Sequence, residues 1–82
     1  GRVQLVMYRD FVTRKARGLK LVGEVQNLPD GTVRVVAEGP RQTLEVYVEK
    51  LKRGSLLSNV ESVETTWLSA TGTYTAFTIN YD

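Results

Sequence analysis

Cysteine and histidine are both absent from the 82 residues. Without cysteine there is no disulfide, no thiol nucleophile and no cysteine-ligated zinc, a usage that fits a reducing compartment. Without histidine the commonest general base and the commonest transition-metal ligand are missing, and with them the serine and cysteine triads and the zinc hydrolases. No apolar stretch approaches the ~18–20 residues of a membrane span, and no signal-peptide pattern opens the chain, so the expected location is the cytoplasm, with no membrane partner. No P-loop or dinucleotide glycine motif occurs, and no Asp-x-Asp or Glu-x-x-His spacing suggests a metal. The expectation is therefore a protein with no cofactor and no metal.

What is present belongs to a folded domain. Hydrophobic residues make up 41% and charged residues 24% of the chain, the balance of a globular protein with a packed core. The length suits one domain over residues 1–82. The chain opens on glycine, not methionine, which suggests N-terminal trimming. Net charge is only +2, but Arg2, Arg9, Arg14, Lys15, Arg17 and Lys20 face Asp10 alone in the first twenty residues. That quarter should attract anions: a phosphorylated small molecule, an acidic surface or nucleic acid.

Periodicity gives an alternating order of elements. Residues 2–8 are apolar with weak alternation and read as a candidate first strand. Phe11, Val12, Ala16 and Leu19 recur at helical spacing, predicting a helix from about Asp10 to Arg17 closed by Gly18. A hairpin follows, Leu21 to Leu28 and Thr32 to Glu38 around Pro29-Asp30-Gly31. Gly39-Pro40 opens a second helix with Leu44, Tyr47, Val48 and Leu51 on one face, ended by Gly54. Two further strands are expected, about Val60 to Trp67 and Ala76 to Tyr81, with Trp67 in the core. The pattern predicts an α+β fold, a ferredoxin-like α/β sandwich with two helices on one face of an antiparallel sheet and a first strand that is short or truncated.

Two stretches carry a resemblance. Gly1-Arg2-Val3-Gln4-Leu5-Val6-Met7-Tyr8-Arg9-Asp10-Phe11 resembles the acylphosphatase signature G-x-V-Q-G-V-x-F-R-x-F. Gly23-Glu24-Val25-Gln26-Asn27-Leu28-Pro29-Asp30-Gly31-Thr32-Val33 resembles the family's second signature, G-(aromatic)-V-x-N-x-x-x-G-x-V. The resemblance implies a ferredoxin-like fold and metal-free hydrolysis of the carboxyl-phosphate bond of small acyl phosphates, with inorganic phosphate as product. It implies that Arg9 and Asn27 are the catalytic pair, and that Leu5, Val6, Met7, Tyr8 and Arg9 form the phosphate-binding loop. Leu5 replaces the family's glycine, Tyr8 its phenylalanine and Glu24 its aromatic residue.

The chemistry of these residues is consistent with those roles. A helix start is an anion site, and an arginine placed there is mildly unfavourable unless an anion bridges the two. The guanidinium fork matches phosphate oxygens better than a lysine does. A neutral amide at Asn27 can donate to and accept from a water without neutralising the phosphate, and an acyl phosphate already has a good leaving group. The same residues have plainer readings, Arg9 as an arginine paired with a neighbouring acid and Asn27 as a turn residue. A monomer without nucleic-acid partners is expected. The rival reading is a non-catalytic binding module on the same fold, or one such domain of a larger protein.

Overall fold

The computed structural model describes residues 2–57, 60 and 63–81. Its elements run α1 (Arg2–Gly18), β1 (Val22–Asn27), β2 (Val33–Glu38), α2 (Arg41–Leu57) and β3 (Phe77–Asn80). The strands lie in the order β2-β1-β3, with β1 antiparallel to β2 and parallel to β3, so the sheet is mixed where sequence predicted it antiparallel. Tyr8, Val12 and Ala16 of α1 meet Tyr47 and Leu51 of α2 over Val25 and Phe77, which places both helices on the same face of the sheet. Val33, Val35, Ala37 and Ile79 complete that inner face.

Residues 2–8 form neither a strand nor a loop; they are the first two turns of α1. The cause is local. No glycine or proline interrupts the chain between Arg2 and Arg17, and Leu5, at the signature's glycine position, is a good helix former, as is Met7. Helix α1 closes one residue pair later than expected. Lys20, not Gly18, takes the left-handed conformation (φ 59°), with the Lys20 amide donating to Arg17 O at 3.1 Å and the Leu21 amide to Ala16 O at 2.9 Å. That is a Schellman closure, with buried Leu21 packed into the same core as Ala16.

Helix α2 continues past Gly54 to Leu57, and Gly54 is buried inside it. Its missing side chain is occupied by the Phe11 ring, which a Cβ there would strike. Two hydroxyls tie the helices together: Tyr8 donates to Leu51 O at 3.0 Å, and Tyr47 to Val12 O at 2.9 Å. The phenylalanine of the family signature has no hydroxyl for the first of these bonds. Burial raises the pKa of Tyr8 to about 12 and that of Tyr47 further, because the charged phenolate is disfavoured there.

The predicted strand from Val60 to Trp67 does not form among its described residues, Glu61 and Ser62 lying outside them. A strand exists by pairing, and β1 already has neighbours on both sides. Residues 63–71 instead line a groove of about 1130 Å³ together with β2 and residues of both helices. Trp67 is 42% exposed and lies under the Arg41 guanidinium, 4.1 Å from its ring centroid; it is not in the core. The turn at 71–73 is held by the Glu38 carboxylate, which accepts from the Thr71 amide at 2.9 Å, the Thr71 hydroxyl at 2.8 Å and the Gly72 amide at 3.3 Å. Among the described residues no helix is long and apolar enough to cross a membrane.

Candidate functional site

Arg9 sits in the middle of α1, not at its start, so the helix's unpaired amides lie about two turns away from it. Its side chain is 16% exposed. Nε and Nη2 donate to Asp10 Oδ1 at 3.3 and 3.2 Å, and the guanidinium carbon lies 5.2 Å from the Tyr81 ring centroid. An ion pair with a neighbouring acid is therefore part of the geometry.

Asn27 is the last residue of β1 and pairs with Val33. Gly23 and Val25 are buried on the helix-covered side, and the two-residue period of a strand sends Asn27 the same way. Its Oδ1 is buried and has no hydrogen-bond partner. A buried acceptor left unpaired costs about 1–3 kcal/mol, an expense that a bound water or ligand donor would remove. Asn27 and Arg9 lie toward one end of the sheet. Gln26 pairs with Asn80 in the parallel register, so Asn27 and Tyr81 follow one another at that end, and Tyr81 is the ring beneath Arg9.

Leu5, Val6, Met7 and Tyr8, expected to form a phosphate loop with Arg9, do not form one in this conformation. Helical pairing commits the amides of Val6, Met7 and Tyr8 to carbonyls four residues back. Val6 and Met7 are exposed, Leu5 borders the large groove, and Tyr8 is spent on the contact with α2. Arg9 is the one member of that set with a charged group beside the Asn27 end of the sheet. The pairing with Asp10 meets the plainer sequence reading of Arg9, an arginine paired with a neighbouring acid. Sequence reasoning missed Tyr81, whose place beneath Arg9 depends on the parallel pairing of β3, which no local pattern shows.

Gly23 fixes the strand that carries Asn27. It has φ +145°, faces Ala37 on one side and Phe77 on the other, and donates its amide to Ala76 O at 2.9 Å. A Cβ would run into the Val36 carbonyl oxygen, so the signature's glycine is required by the close approach of two backbones. At the far end the hairpin is set by Asp30, whose carboxylate accepts from the Thr32 amide at 3.0 Å and hydroxyl at 2.6 Å. Those bonds hold the Asp30 pKa below its ordinary value.

Two helices over one face of a short mixed sheet make this a ferredoxin-like α+β protein. The family model for acylphosphatase matches residues 1–79. The acylphosphatase of Thermus thermophilus is 54% identical over 67 residues, covering 82% of this chain and 76% of that one. The acylphosphatase of Methanococcoides burtonii is 46% identical over 79 residues, covering 96% and 82%. The crystal structure of acylphosphatase from Bacillus subtilis matches with a TM-score of 0.86 at 41% identity, across 99% of this chain and 90% of that one. The chain belongs to the acylphosphatase family.

Proposed function

We propose that Arg9 binds the phosphoryl group and Asn27 holds the attacking water in the hydrolysis of small acyl phosphates, the reaction that follows from family membership. The observation that carries the pairing is the buried, unpartnered Asn27 Oδ1 at the end of the sheet where Tyr81 supports Arg9. Oδ1 accepts from the water and leaves its lone pair free toward phosphorus. Water oxygen bonds to phosphorus as the bond from phosphorus to the carboxyl oxygen breaks. The carboxylate leaves with that electron pair, and the water's proton passes to a phosphate oxygen. Arg9 spreads charge on the equatorial oxygens, and positioning with electrostatic stabilisation suffices because the leaving group is a weak base.

A cytoplasmic monomer acting on small substrates, without nucleic-acid partners, is part of the same reading; size-exclusion chromatography tests the monomer. Benzoyl phosphate hydrolysis in the presence of EDTA tests the activity, and its absence would favour a binding module. Arg9→Ala should abolish turnover and the inhibition by inorganic phosphate. A folded Arg9→Ala protein with normal phosphate inhibition removes Arg9 from the site. Asn27→Ala should lower kcat about a hundredfold or more while phosphate still inhibits.

A further inference from the structure

Arg9 has a competitor for any anion it binds. Two of its nitrogens converge on Asp10 Oδ1, and Asp10 occupies a position that the family signature leaves open. Asp10 also stands one helical turn before Arg14. An acid four residues ahead of a base is the favourable order for a helical pair. Both side chains line a small hollow of about 280 Å³, with Thr13, Arg17 and Ile79 as its other walls. Arg17 uses Nε on the Phe77 carbonyl oxygen at 3.1 Å. The Arg14 guanidinium lies 5.9 Å from the Phe11 ring centroid, and the ion pair among the described residues is that of Arg9 with Asp10.

We propose that Asp10 is a positioning residue that competes with the substrate's phosphate for Arg9, and that its carboxylate turns across the hollow to Arg14 when phosphate wins. The proposal rests on the reading of Arg9 as the phosphate ligand. Asp10 takes the Nε–Nη2 edge of the guanidinium, so a phosphate that docks on that edge must displace the carboxylate, and two anions sharing one guanidinium repel each other. Arg14 offers the displaced carboxylate a second partner one turn along the helix, so that phosphate binding does not leave it unpaired. Asp10 thereby holds the guanidinium ready over Tyr81 at the expense of affinity for anions.

The test is a double-mutant cycle on the inhibition constant of inorganic phosphate, paired with the phosphate-induced rise in melting temperature, which needs no turnover. Asp10→Asn should tighten phosphate binding about two- to fivefold, the range expected for releasing a partly exposed ion pair. Arg14→Gln should weaken it about twofold in the parent protein and change it little once Asp10 is Asn. Asp10→Ser provides the same comparison should the Asn variant fold poorly. General structural damage would not tighten binding. Unchanged or weakened phosphate binding in the Asp10 variants, while Arg9→Ala still abolishes it, overturns the proposal and leaves Arg9's role standing. An equal Arg14→Gln loss with and without Asp10 also overturns it, since Arg14 would then attract phosphate directly. Normal phosphate inhibition in Arg9→Ala would remove the underlying reading instead.

Discussion

The two sides of β2 are built in different ways. On one side β2 pairs with β1 through six residue partners, and β1 in turn pairs with β3, so backbone hydrogen bonds and inward-facing side chains fix the same register. On the other side lies the groove, and residues 63–73 are held across it by the Glu38 carboxylate and by the stack of Arg41 on Trp67. Asn27 belongs to the first side, Trp67 to the second. The difference shows that a strand-like pattern specifies a strand only where a partner edge is within reach.

The largest break in the paired side comes from Gly23→Ala. The substitution forces a side chain into a backbone conformation that costs about 1–3 kcal/mol, and adds an overpacking penalty of about 1–3 kcal/mol against the Val36 carbonyl. The sum is a large share of a small domain's ~5–15 kcal/mol of stability. Urea unfolding should show a midpoint shifted far down or lost, with activity falling in step because Asn27 lies on the same strand. An unchanged midpoint would mean that β1 and β2 do not approach so closely in solution.

The paired side was legible in the sequence, and the open side was not. The hairpin could be read from Val33, Val35 and Ala37 alternating after Pro29-Asp30-Gly31, and both helices from their apolar spacing. Arg9 and Asn27 were identified through resemblance to two signatures; the structure bears out the acid beside Arg9 that its plainer reading expected and adds a missing hydrogen bond at Asn27. Residues 2–8 were misread because their apolar run suits strand, loop or helix equally, and the absence of a helix breaker decides it. Trp67 was misread because a β-favouring sequence says nothing about a missing neighbour. Gly54 was misread as a helix end because its role, making room for Phe11, is a tertiary one.

Tyr8→Phe sharpens the comparison by loosening the paired side without breaking it. The change restores the family's phenylalanine and removes one hydrogen bond to Leu51 O, a loss of about 0.5–1.5 kcal/mol. It also alters the alkaline limb. The folded Tyr8 pKa of about 12 lies above its ordinary value of 10.0, so the unfolded chain releases that proton first. Its contribution is complete below pH 10.0 and is lost as pH rises from there through about 12. Between roughly pH 9, below that window, and roughly pH 11, inside it, the denaturant midpoint should fall less steeply in Tyr8→Phe than in the parent, with Tyr47 supplying the remaining slope. An identical slope would indicate that Tyr8 is not buried against α2 in solution.

The smallest effect is expected on the open side. Glu38→Gln removes the charge that collects the Thr71 and Gly72 donors but leaves an amide oxygen able to accept one of them. The carboxylate is solvent-exposed, so global unfolding should hardly shift, whereas the local hold on residues 71–73 should weaken. Trp67 on the same segment reports this through its fluorescence, since its ring environment is set by Arg41 at 4.1 Å. Acid should act like the mutation. The bonds from Thr71 and Gly72 hold the folded Glu38 pKa below its ordinary value of 4.5, so the clamp contributes fully above pH 4.5 and is lost as pH falls through the lower folded value. The parent protein should therefore show a Trp67 emission change on acidification before global unfolding, and Glu38→Gln should show that altered emission already at neutral pH. If the two emission spectra coincide at neutral pH, the segment is held by something other than Glu38, and the contrast between the two sides of β2 is smaller than the hydrogen bonds imply.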